Sequence, residues 1–173
     1  MNDTLKLLAN IALFQIGWFA CLLLSYPWFV MVTVVILLLH FYCIVEHHER
    51  KKEMSLIAIV LVVGVVIESI YLFGEVLVRV DGANFPAFWL LFIWVLFATT
   101  FRYSMSWLRS RLPLAAVFAG VAAPMSYYTG ANLNASASLN DNVVFSLVAI
   151  SISWALAFPM LMRFLVPVPN RET

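Results

Sequence analysis

Residues 54–73 read MSLIAIVLVVGVVIESIYLF, 20 residues with a single charged side chain, Glu68. A helix of that length rises about 30 Å at 1.5 Å per residue, which is the thickness of a bilayer's hydrocarbon core. The apolar positions run without a break and without an alternation of period two, so the stretch reads as a helix and not as a barrel strand. The same reading extends outward to Leu5–Leu24, Pro27–Val45, Phe85–Phe101, Leu112–Thr129 and Val143–Leu165. Backbone amides cannot stay unpaired in lipid, and helices satisfy them within each segment. The predicted fold class is all-α, a polytopic membrane protein of six transmembrane helices in one integral domain over residues 1–173.

Composition supports that class. Of 173 residues, 64% are apolar and 11% charged, against roughly 45–50% and about 25% in ordinary soluble domains. A soluble domain of this size cannot hide so much apolar surface. The formal net charge of +1 excludes a basic nucleic-acid binder. Cys21 and Cys43 suggest neither a disulfide framework nor a metal site. The first run is too long for a cleavable signal peptide and lacks an A-x-A site, so it reads as a retained span.

The basic residues choose an orientation. With the N-terminus inside, Lys6, Arg50, Lys51, Lys52, Arg102, Arg109, Arg111, Arg163 and Arg171 all fall on the inner side, and of the 10 Lys and Arg residues only Arg79 falls outside. Short loops rich in Lys and Arg stay on the cytoplasmic face. The expected topology is therefore N-in and C-in. Tyr26, Trp28, Phe85 and Trp89 would form an outer aromatic belt, and Tyr42, Tyr103 and Trp107 an inner one. The inner loop Glu46–Glu53 reads as solvated and charge-balanced. His47 and His48 are adjacent and point to different sides of a helix, which argues against a metal site. The outer loop Gly130–Asn142 holds four asparagines and no cation, and reads as a flexible connection.

Ionisable groups inside a membrane are costly and are functional candidates. Glu68 lies about fourteen residues into its span, roughly 21 Å from the inner boundary at 1.5 Å per residue. Glu75 follows on the same helical face, and Gly64 would let a neighbour approach closely. Gln15 lies near mid-membrane, and Thr33, Ser126, Tyr127 and Ser151 lie on other spans at roughly the depth of Glu68. With Glu68 they make the candidate binding site. The alternative reading is a neutral Glu hydrogen-bonded between helices for packing. A second polar set lies nearer the inside: Asn10, His40, Thr99, Thr100 and Arg102. His40 there reads as a hydrogen-bonded packing residue before a base, and Arg102 could snorkel to the interface. No catalytic residues are assigned, because no nucleophile sits beside a base in a known motif. No metal and no cofactor are expected. Helices five and six carry Ala115, Ala119 and Ala123, and then Ser151, Ala155 and Pro159, small residues at four-residue spacing that favour close packing. Pro124 and Pro159 each free a carbonyl one turn earlier, at Gly120 and Ala155.

Several of these residues also carry a resemblance. The first run has Asn10, Phe14-Gln15 and Gly17-Trp18-Phe19, the pattern N-x-x-x-F-Q-x-G-W-F. The fourth has Trp94 and Phe97-Ala98-Thr99-Thr100, followed by Ser106-Trp107-Leu108. Pro27-Trp28, Glu68-Ser69, Gly120, Pro124, Tyr127–Gly130, Trp154 and Pro159 complete the set. Together they resemble a family of small multi-pass bacterial inner-membrane proteins of unknown function. The resemblance implies a bacterial inner membrane and a lipid-linked role, and it implies no activity. Three functions stay open. The first is a non-enzymatic protein that binds or moves a lipid or small amphipathic molecule around Glu68, with membrane lipids as its partners. The second is an assembly partner for other membrane proteins. The third, less supported, is a lipid-modifying enzyme. The oligomeric state is open.

Overall fold

Each apolar run does become a helix, as its uninterrupted hydrophobicity requires once the backbone must bond to itself. A computed structural model describes residues 2–166. Its helices are α1 (Asp3–Leu23), α2 (Trp28–Leu39), α3 (Arg50–Phe73), α4 (Phe88–Ala98), α5 (Leu112–Leu133) and α6 (Val143–Leu165). Two short strands, β1 (Leu77–Arg79) and β2 (Ala137–Leu139), complete the element order. Arg171, counted above among the inner cations, lies outside the described residues.

Four helical stretches are long and apolar enough to cross a membrane: α1, α3 with the turn before it, α5 and α6. The other two are shorter. α2 has 12 residues and continues as a π-turn over His40–Ile44. α4 has 11 residues, about 16 Å at 1.5 Å per residue, well under a hydrocarbon core of about 30 Å. The expected fourth span is cut short at Ala98 by Thr99 and Thr100. Their hydroxyls donate to the carbonyls of Leu96 and Phe97, both at 2.7 Å. Their amides bond three residues back, and tight turns follow up to Met105.

The chain divides into two compact units. Of the described residues, the first takes those up to Val65 together with Phe88–Met105, and the second takes Val66–Ala87 with those from Ser106 on.

In the first unit α1, α2 and α4 pack on one another, and Gly17 of α1 sets the approach. A Cβ there would meet Leu96 at 2.6 Å and Ile36 at 2.9 Å. Gly64 of α3 is similarly covered, with Trp94 ring atoms 2.5 Å from where its Cβ would stand. Asn10, 1% exposed, closes the end of α4: its Nδ2 donates to the Thr99 carbonyl at 3.0 Å, and its Oδ1 accepts from the Ser104 hydroxyl at 2.6 Å. Lys6 reaches Glu46 at 3.5 Å across 40 residues of sequence. The start of α1, the end of α2, the start of α3 and the end of α4 thus meet at one end of this unit.

In the second unit α5 and α6 form an antiparallel pair. Gly120 makes it close, since a Cβ there would stand 3.3 Å from that of Ala155. Pro124 interrupts α5 and frees the Gly120 carbonyl. The Ser151 hydroxyl of α6 donates to that carbonyl at 2.6 Å. The connection between α5 and α6 is more ordered than the flexible loop expected. α5 runs on to Leu133, and β2 pairs antiparallel with β1 in the register Leu77–Leu139, Val78–Ser138 and Arg79–Ala137. Ser146, fully buried, pins this ribbon by donating to the Val76 carbonyl at 2.7 Å and accepting from the Asn140 amide at 3.1 Å.

Three expectations about placement are corrected. Trp89 is buried in place of facing a lipid interface, and the half-buried Tyr103 is turned to pack on His40. Glu75 does not continue the α3 face. The helix ends at Phe73, and Glu75 sits in a left-handed turn with φ of 54°.

Candidate functional site

The helical stripe that buries α3 explains which of its polar residues are turned inward. Glu53, Leu56, Val60, Gly64, Glu68 and Tyr71 recur at helical spacing and are all buried. Glu68 is 1% exposed and Glu53 0%. Each sits in its own polar cluster.

Glu68 belongs to the second unit. The Tyr127 hydroxyl of α5 donates to its Oε1. The Tyr71 ring, one turn along α3, stands edge-on to Tyr127 at 5.7 Å and 82°. Trp154 of α6 lies 6.5 Å from Tyr127. The Tyr71 hydroxyl bonds Ser153 of α6, and Ser153 in turn donates to the Ile150 carbonyl at 3.0 Å. Two phenols, an indole, a hydroxyl and a carboxyl thus converge from α3, α5 and α6. Such a cluster can hold a polar group inside an apolar layer, because its carboxyl oxygens and hydroxyls offer both donors and acceptors.

The second cluster forms where the chain ends of the first unit meet. His40, 1% exposed, stands with Nε2 3.0 Å from Glu53 Oε1. Glu53 Oε2 is 3.4 Å from an Arg102 nitrogen. Arg102 also pairs with Glu49, which accepts from Lys52 at 2.7 Å. The Tyr103 ring meets His40 edge-on at 5.3 Å and 90°.

The proposed binding residues divide accordingly. Glu68 and Tyr127 come together. Ser151 is half-buried and is engaged with the carbonyl that Pro124 frees. Ser126 is half-buried on α5. Gln15 is exposed on α1. Thr33 is fully buried in the first unit, where it donates to the Phe29 carbonyl at 2.9 Å with the Cys21 sulfur 3.9 Å away. In the inner set, His40 and Arg102 share one network through Glu53. Asn10, Thr99 and Thr100 secure the end of α4.

Sequence reasoning missed Glu53, Glu49, Tyr71, Ser153 and Trp154 as cluster members. Glu53 had a legible signal. Carried one turn back from Leu56, the buried stripe of α3 falls on it, whereas the run of neighbouring charges marked it as loop. Among the described residues no group of His, Cys, Asp and Glu is arranged to hold a metal ion.

No curated protein and no solved structure matches the chain. The sequence profile of a family described as a protein of unknown function, DUF2878, matches residues 7–160. That match contains most of α1, all of α2 to α5, both buried clusters and most of α6. The chain belongs to the DUF2878 family, whose function is unknown, and its long apolar helices mark it as a membrane protein.

Proposed function

We propose that this protein is a non-enzymatic integral protein of the bacterial inner membrane that binds or moves a lipid or small amphipathic molecule. The polar end of that molecule is held at Glu68 and Tyr127, while its apolar part lies along the neighbouring helices. The observation that carries this reading is a carboxyl 1% exposed in a long apolar helix and met there by a phenol hydroxyl. A polar group in such surroundings costs a few kcal/mol. A function that uses the cluster accounts for keeping it there.

The chain is read as one integral domain of six spans, N-in and C-in. The positive-inside distribution of Lys and Arg supports this, as does the alternating direction of α1 to α4 in the first unit. α2 and α4 would then cross together with the turns that extend them. Fusing a reporter active only outside the cytoplasm to the C-terminus tests the topology, and activity of that fusion would overturn it.

Native mass spectrometry of the purified protein with its retained lipids tests the function. A bound lipid lost in Glu68→Ala and Tyr127→Phe supports it. Retention unchanged in both variants removes the site. A stoichiometric protein partner and no lipid would support the assembly role in its place. Release of a chemically altered lipid would support an enzyme.

A further inference from the structure

The His40 network is not used by the Glu68 site and has a chemistry of its own. We propose that His40 is a proton-binding site: its imidazole, held at Nε2 by the Glu53 carboxylate, takes up and releases a proton at Nδ1.

The bonding pattern determines which nitrogen is active. In its ion pair with Arg102, Glu53 is a carboxylate and can only accept. The proton shared over the 3.0 Å separation therefore sits on His40 Nε2. In the neutral ring Nδ1 carries the lone pair, and among the described residues that nitrogen is buried without a hydrogen-bond partner. A carboxylate behind the ring fixes the tautomer. When a hydronium ion delivers its proton, an N–H bond forms at Nδ1, an O–H bond breaks and water leaves. The resulting imidazolium faces Glu53, which offsets its charge.

The surroundings hold the ring in place. His40 opens the π-turn at the end of α2, where the Val45 amide bonds back to the His40 carbonyl at 3.0 Å. Phe41 and Tyr103 pack edge-on against the ring at 5.6 and 5.3 Å and hold its plane. The charged and titratable groups on the elements that meet at its end of the unit are Asp3, Lys6, Tyr42, Cys43, Glu46, His47, His48, Glu49, Arg50, Lys51, Lys52, Glu53, Arg102 and Tyr103. Exposure rises outward from Glu53: Glu53 0%, Arg102 14%, Glu49 20% and Lys52 70%. This series of polar side chains meets the ring at Nε2, through Glu53.

The test is nitrogen NMR of the full chain in lipid nanodiscs, labelled at histidine and titrated with acid. His47 and His48 are exposed and give internal references, and His40→Gln assigns the buried ring. The expected result is an Nε2–H tautomer at high pH that converts reversibly to imidazolium as pH falls. Glu53→Gln should weaken proton binding at His40 by about tenfold or more, a displacement of about one pH unit or more. Three results overturn the proposal. They are one unchanging protonation state from about pH 4 to about pH 9, an Nδ1–H tautomer, or a Glu53→Gln ring that titrates like the wild type. If Glu53→Gln does not fold, the wild-type titration decides alone, with Glu53→Asp as the second variant.

Discussion

Glu53 and Glu68 are on one helix and one buried stripe, yet they are accommodated by different chemistry. Glu53 stands against His40 and Arg102, so it is part of an ionic network whose members are tied to several chain ends. Glu68 meets phenols and an indole, and the hydroxyl of Tyr127 donates to it. A buried ion pair is held by large opposing terms, desolvation against attraction, and losing one partner leaves a charge with nothing to offset it. A carboxyl among phenols involves smaller terms. The first arrangement fixes a structure and a protonation pattern. The second leaves a polar position that another molecule can compete for.

The largest predicted effect follows from that contrast. Arg102→Met leaves Glu53 and Glu49 facing each other without their shared cation, and should cost about 3–5 kcal/mol. Thermal unfolding in detergent micelles would read this as a strong fall in the midpoint. Glu68→Gln keeps the shape and an acceptor for Tyr127, so it should cost far less. Equal losses in the two variants would mean that the clusters do not differ as described. Replacing Arg102 and Glu53 together by apolar residues of similar volume should recover much of the stability lost in Arg102→Met.

Tyr127→Phe comes next. It removes the donor to a buried carboxyl and should cost about 1–3 kcal/mol, with the packing of the ring on Tyr71 and Trp154 preserved. Chemical denaturation of the variant in mixed micelles measures it. No loss at all would show that the Glu68 cluster is indifferent to its hydroxyl, which would also weaken the proposed ligand site.

What the sequence could show follows the scale of each interaction. The apolar runs were legible because burying backbone in lipid leaves a helix as the only solution for a continuous segment. Glu68 was legible because one charge in 20 apolar residues stands out against that background. Tyr127 was reached by counting depth, which works along a straight helix. Gln15 and Thr33 were counted the same way, but depth says nothing of which face a residue presents. Glu53 was hidden by its neighbours: five charges precede it within Glu46–Lys52, and local composition outweighed its place on the stripe. The role of Ser151 needed the partner helix. Only the contact with α5 shows that its hydroxyl caps the carbonyl freed by Pro124. Asn2 and Asn134 likewise act locally: Asn2 caps the Thr4 amide at 3.1 Å, and Asn134 accepts from the Ser136 hydroxyl at 2.7 Å.

Ser151→Ala tests that role of the serine. Interhelical hydrogen bonds in membranes contribute about 0.6 kcal/mol on average, so the variant should lose roughly that much by the same unfolding measurement. Removing the proline as well restores the helical amide that Gly120 would otherwise bond. In Pro124→Ala the further replacement Ser151→Ala should therefore cost less than it does alone. Equal costs in both backgrounds would separate the serine from the proline.

The smallest effect lies outside the helices and has a definite sign. Arg79 of β1 pairs with Asp81. That guanidinium, followed by the Ala83 amide at 3.2 Å, holds the Asp81 carboxyl down at about 2 from its ordinary 3.8. A carboxyl depressed in the folded state stabilises above its unfolded value, and the contribution fades as pH falls through the folded one. Support for the β1–β2 ribbon from this pair should therefore be complete above about pH 4 and lost towards about pH 2. Because Asp81 is exposed, salt should diminish the effect. Hydrogen exchange at the Val80 amide, which bonds the Ser136 carbonyl at 3.2 Å, reads the ribbon directly. Protection should fall over that window in the wild type and stay flat in Asp81→Asn. The loss should be confined to the ribbon, because neither Glu53 nor Glu68 contributes to its hydrogen bonds. If the His40 network loosened over the same window, the two regions would not be independent in their response to acid.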